Sequence, residues 1–145
     1  MRRGALAACV LLAGCAAATI APAPGTAPGA AAADDAVAAL IEAALAADAR
    51  LDGADSLYAP GAQAIADGRV RLDPPLYAGV RGPGEVAITA SQVSVAGTLA
   101  WGRVQYRWIS ADSTDLRAGV ATVLAAPRRG GGGWWIVHAH SSTAR

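Results

Sequence analysis

Apolar residues recur at helical spacing through Val37, Leu40, Ile41, Ala44, Leu45 and Leu51, with Glu42 and Arg50 on the opposite side. Asp34 and Asp35 are good N-caps and Gly53 is a breaker, so a first helix is predicted from near Asp34. At ~100° per residue Asp48 falls inside the apolar stripe, where a carboxylate needs a partner or a wet cavity; an acid at a fraying helix end that reaches solvent is the other reading. Ala54 to Tyr58 reads as a short second helix before Pro60-Gly61. From there the period changes to that of strands. Ala62 to Ala66, the Asp67-Gly68 turn and Arg69 to Leu72 form a strong hairpin signal, stopped by Pro74-Pro75. Leu76 to Val80 reads as a short extended piece, and Gly82-Pro83-Gly84 as a turn. Glu85 to Val95 carries apolar residues at even positions through Ile88 and at odd positions at Val93 and Val95, which predicts a bulge. Leu99 to Ile109, Arg117 to Ala126 and Trp134 to Ser141 are three longer strands, with a flexible hairpin loop at Gly130 to Gly133. A helix followed by such a run predicts an α+β fold, the helices on one face of a curved antiparallel sheet.

Composition changes the weight of these patterns. The chain is 54% hydrophobic, but 39 of its 145 residues are Ala and none is Phe, Lys or Asn. Its core must therefore come from Val, Leu, Ile, four Trp and three Tyr. Arg2 and Arg3 precede an apolar segment, Ala5 to Ala13, too short to cross a bilayer of ~30 Å. It ends in Leu12-Ala13-Gly14-Cys15, which resembles the bacterial lipobox. The resemblance implies a signal peptide over 1–14 and acylation of Cys15, an anchor in the lipid bilayer. Ala16 follows, with no Asp to resemble the inner-membrane retention signal, so the expected address is the outer membrane, facing the periplasm. Cys9 lies in the signal, so the processed chain has no thiol for a disulfide or a thiolate metal site. Residues 15–33 then read as the lipidated Cys and an Ala/Pro/Gly tether, and 34–145 as one domain. The formal charge is +1, and without Arg2 and Arg3 ten Arg face eleven acids. No basic field exists for general nucleic-acid binding.

Three stretches carry a family resemblance: Asp55-Ser56-Leu57-Tyr58-Ala59-Pro60-Gly61-Ala62; Leu99-Ala100-Trp101 with Tyr106; and Gly133-Trp134-Trp135-Ile136-Val137-His138-Ala139-His140-Ser141-Ser142. Their order and spacing resemble the nuclear transport factor 2-like superfamily, and most of all the SnoaL-like proteins and the association domain of calmodulin-dependent kinase. The resemblance implies a cone: a strongly curved antiparallel sheet wrapped round the N-terminal helix, a cavity at its open end, and dimerisation through the outer sheet face. Two features depart from it. Thr98 stands where relatives often have Asp, and residues 73–84, rich in Pro and Gly, replace a helix that normally lines the cavity.

Candidate chemistry is sparse. His138 and His140 alternate to one side of the last strand, and without a third ligand they make no zinc site, so no metal and no cofactor is expected. Catalytic relatives place an Asp inside the cone to remove a proton next to a carbonyl, with Tyr or His stabilising the oxyanion; Asp48, Tyr58 and His138 are the candidates here. Trp101 and Arg103 share a strand face with Gln105 and Arg107. The kinase association domain has an Arg resembling Arg103 in a pocket for anionic compounds; a solvated Arg covering Trp101 is the other reading. No nucleophile elbow or phosphate-cradling loop is present. Three functions are therefore expected in this order: a lipid-anchored, dimeric module using Trp101, Arg103, His138 and His140 to bind a small anionic or apolar molecule or a partner; a lyase or isomerase using Asp48, Tyr58 and His138; and a dimerising scaffold with a filled cone.

Overall fold

The computed structural model describes residues 28–52 and 54–144; the signal segment, Cys15 and residues 16–27 of the tether lie outside the described residues. The elements are α1 (Pro28–Ala49), a 3-10 turn (Asp55–Leu57), β1 (Tyr58–Ala66), β2 (Arg69–Arg71), β3 (Gly84–Ala96), β4 (Leu99–Ser110), β5 (Leu116–Pro127) and β6 (Trp134–Thr143). The six strands form one curved sheet in the order β2-β1-β6-β5-β4-β3, with α1 packed on its inner face. This is the expected α+β cone.

Four local expectations are modified. α1 starts at Pro28, ahead of Asp34, so residues 28–33 of the expected tether are helical. Alanine is the best helix former and a proline at the first helical position loses no bond the helix needs. The helix also ends earlier: Leu51 adopts φ 57, Leu51 N–H donates to Asp48 O and Asp52 N–H to Ala47 O. That pattern is a left-handed helix terminus, and it leaves Leu51 outside the apolar stripe and 40% exposed. Third, the sheet is mixed, because β1 runs parallel to β6 while the other pairs are antiparallel. Fourth, Leu76 to Val80 forms no strand; it is a turn in which Val80 N–H donates to Tyr77 O.

The last two have one cause. Following the registers, β2 and β3 point the same way at opposite edges of the sheet. The linker 72–83 must therefore return along the molecule before β3 begins, and it does so on the concave side, where Tyr77, Ala78 and Val80 are buried.

Packing follows the period of each element. In β4, Ala100, Gly102, Val104, Tyr106 and Trp108 are buried, whereas Leu99, Trp101, Arg103, Gln105 and Arg107 face out. The interior joins Val37, Ile41, Ala44 and Leu45 of α1 to Val104, Tyr106, Val123 and Ile136 of the sheet. The Ile88/Ala90 bulge in β3 accounts for the switch of apolar parity. Gly102 matters for packing: a Cβ there would collide with Cδ1 of Ile41, so its absence lets α1 approach β4.

Gly102→Ala is therefore expected to destabilise by about 1–3 kcal/mol, and Ile41→Val by about 0.5–1.5 kcal/mol. Because Ile41→Val removes the colliding methyl, the double variant should be more stable than the two losses added together, as read in urea unfolding.

Candidate functional site

Asp48 sits on the last turn of α1, 2% exposed, facing the sheet. Its two oxygens accept from successive backbone amides of the linker: Leu76 N–H to Oδ1 at 2.6 Å and Tyr77 N–H to Oδ2 at 2.9 Å. Burial raises its pKa above the ordinary 3.8, against the opposing effect of those two N–H donors and the positive charge of Arg71. The next residue of the linker is held as closely. Ala78 N–H donates to Ser141 Oγ at 2.9 Å, and Tyr106 O–H donates to Ala78 O at 2.6 Å.

Tyr77 fills the space between. Its ring is 1% exposed and meets Tyr106 edge-on, with centroids 6.3 Å apart and planes at 83°. The hydroxyl of Tyr58 donates to that of Tyr77 at 3.2 Å. Burial lifts all three phenols: Tyr58 is pushed up to about 12, and Tyr77 and Tyr106 lie further above the ordinary 10.0. Gly119 has no Cβ because the Tyr106 ring occupies that place. Asp48 and Tyr58 thus meet the same linker residue, Tyr77, inside the cone. Here the carboxylate serves as an acceptor for backbone amides, and neither of its oxygens lacks a donor.

His138 is elsewhere. In β6 the buried residues are Ile136, Ala139 and Ser141, so His138 and His140 point to the outer face. The registers form two rows across it: Trp101 beside Leu124 beside His138, and Arg103 beside Thr122 beside His140. Adjacent strands lie ~4.8 Å apart, so Trp101, Arg103, His138 and His140 form one outer patch. The sheet separates it from Asp48 and Tyr58. Among the described residues no group of three or more His, Cys, Asp or Glu is placed to hold a metal, and no helix is long and apolar enough to cross a membrane.

Tyr77 and Ser141 are the interior residues that sequence reasoning did not single out. The signal for Tyr77 is the apolar run Leu76-Tyr77-Ala78 immediately after Pro74-Pro75, unusual in a surface loop.

No family model and no curated protein matches the chain. Solved structures do. An NTF2-like protein of unknown function from Pseudomonas putida KT2440 superposes with a TM-score of 0.59 at 22% identity, over 77% of this chain and 87% of that one. The association domain of C. elegans CaMKII gives 0.59 at 14% identity, over 79% and 98%. The S. rosetta CaMKII hub gives 0.53 at 17%, over 82% and 99%. The chain has the NTF2-like fold.

Asp48→Asn replaces one of the two acceptor oxygens by an N–H donor facing an amide, and should cost about 1–3 kcal/mol. The pH dependence has a definite sign. A raised folded-state pKa means that Asp48 contributes stability fully present below pH 3.8 and lost as pH rises through its elevated value. Asp67 is the reverse case: Thr143 N–H lowers its pKa, with help from the Thr143 hydroxyl, Arg71 and Arg81. Its contribution is present above 3.8 and lost as pH falls through the depressed value. Unfolding titrations should therefore show wild type losing stability relative to Asp48→Asn as pH rises from 4 towards 7 (~ the range above an ordinary carboxyl pKa). Asp67→Asn should show the opposite trend on acidification.

Proposed function

We propose that this chain is a lipid-anchored protein of the cell envelope whose SnoaL-like domain is an association module, pairing with a second copy through the outer face of its sheet. One observation carries this reading: linker 72–83 occupies the concave side, and Asp48, Tyr58, Tyr106 and Ser141 all bond to it. The linker fills the cone beside Asp48, Tyr58 and Tyr106, which favours a scaffold over an acid–base site built from Asp48, Tyr58 and His138, while a recess of about 400 Å³ stays open between α1 and β3. The outer face offers what an interface uses: Trp101 at 37% exposure, half-buried Leu124 and His138, and Arg103 at the edge. Two of the similar structures are named as an association domain and a hub, which supports the same use of the fold here.

Residues 1–15 alone support the anchor. Acylation of Cys15 would place the domain at the outer-membrane surface on the periplasmic side, with the tether setting its reach.

Cells fed labelled palmitate should incorporate label into the wild-type protein and lose it with Cys15→Ala; equal labelling would refute the anchor. For association, the chain from residue 15 with Cys15→Ser retains every described residue of the fold. It should sediment as a dimer, and Trp101→Glu should weaken the dimer at least about thirtyfold with unchanged circular dichroism. A wild type that stays monomeric throughout a concentration series would end the scaffold reading.

A further inference from the structure

A groove of about 560 Å³ lies at the β5–β6 hairpin end of the sheet, beyond the His138 row, with Pro60, Ala126, Pro127, Arg129, Trp135 and Val137 among its walls. Its size is that of a site for a small molecule. The walls are aliphatic and aromatic, the two prolines bring no backbone donor, and no carboxylate lines it.

The two neighbouring arginines differ in what remains available to a ligand. Arg128 is committed: Nε donates to Trp134 O at 3.2 Å, Nη2 to Ser56 O at 2.7 Å, and its guanidinium carbon lies 5.2 Å from the centroid of the Trp135 ring. It holds the indole in place by a cation–π contact. Arg129 lines the groove, is exposed, and has no ion-pair partner within 4.0 Å among the described residues. The indole Nε1 of Trp135 is shielded from solvent and bonded to nothing. A buried donor without an acceptor is a standing cost, and its occurrence in a groove wall calls for an explanation.

The groove therefore offers apolar walls, one exposed side-chain donor in the Arg129 guanidinium beside the shielded Trp135 indole, and no side-chain carboxylate. We infer that this groove binds a small carboxylate with an apolar body, its anionic end on Arg129 and within reach of the Trp135 indole edge. A guanidinium matches a carboxylate through paired hydrogen bonds, whereas a phosphate dianion would leave more charge to desolvate against apolar walls. All of these walls come from one chain, and the groove lies on the same sheet face as the proposed pairing surface.

The test uses the ¹⁵N-labelled chain from residue 15 with Cys15→Ser, whose four indole N–H signals are assigned by Trp→Phe variants. Titration with 4-phenylbutyrate should shift the Trp135 indole signal saturably and leave that of Trp108 in place. Arg129→Gln, at an exposed position, should weaken binding about tenfold or more, since the bond lost is charge-assisted. The neutral 4-phenylbutanamide should bind weakly to both proteins alike. No saturable shift at millimolar ligand, or equal affinity for acid and amide, would overturn the inference. So would a response confined to the monomeric Trp101→Glu variant, because the second copy would then be the occupant of the groove.

Discussion

One carboxylate governs how this cone is closed. A polypeptide segment cannot enter a protein interior unless its amide and carbonyl groups find partners, and the segment around Tyr77 has no strand to pair with. Asp48 takes two consecutive amides from the helix side; Ser141 takes the next amide and Tyr106 caps the carbonyl of Ala78 from the sheet side. Side chains from α1, β4 and β6 thus do for three successive residues what a neighbouring strand would otherwise do. Burial disfavours the charge on Asp48, and the two amides partly offset that, which is why its ionisation is displaced upward despite favourable bonds.

Topology explains why a loop is there at all. With β1 parallel to β6 and the remaining strands in an antiparallel meander, the chain leaves β2 and starts β3 in the same direction at opposite edges. A return pass is unavoidable, and strands of one sheet that run the same way are usually linked through a helix. Here Pro74, Pro75, Gly79, Gly82 and Pro83 prevent one, so the pass is made in irregular chain that must be packed inward. Gly79 contributes directly: it takes φ 83 with Arg117 and Ala118 close to where a Cβ would lie.

The period-two alternation of β4 sorted its residues into two faces without coordinates, though not which of the two meets α1, and the parity break in β3 and the Asp67-Gly68 turn were legible as well, because each is a local rule acting on adjacent residues. The position of Asp48 in an apolar stripe was equally legible, and so was its need for a partner. The partner was not, since Leu76 and Tyr77 contribute backbone amides that no side-chain pattern records. The same limit hid the parallel β1–β6 pairing, which depends on where two strands distant in sequence meet. The helix start was misplaced for a different reason: Pro28 and the alanines after it suit a tether by composition and a helix by propensity, and attachment to a long amphipathic helix decides between them.

β6 shows how the two sides of the sheet divide their work. Ile136, Ala139 and Ser141 close the core, while Trp135, His138 and His140 face the other way. The bulge between Leu124 and Ala125 inserts Val137 and keeps both sets in phase on either side of it. Were Val137 paired as in a regular strand, Ile136 and Ala139, three residues apart, would lie on opposite faces, because side chains alternate strictly there. The outer patch and the inner anchor at Ser141 are therefore not independent features of the sequence. Both require the same irregularity in β6, and a change that removed it would expose either the core side of Ile136 or the hydroxyl that holds Ala78.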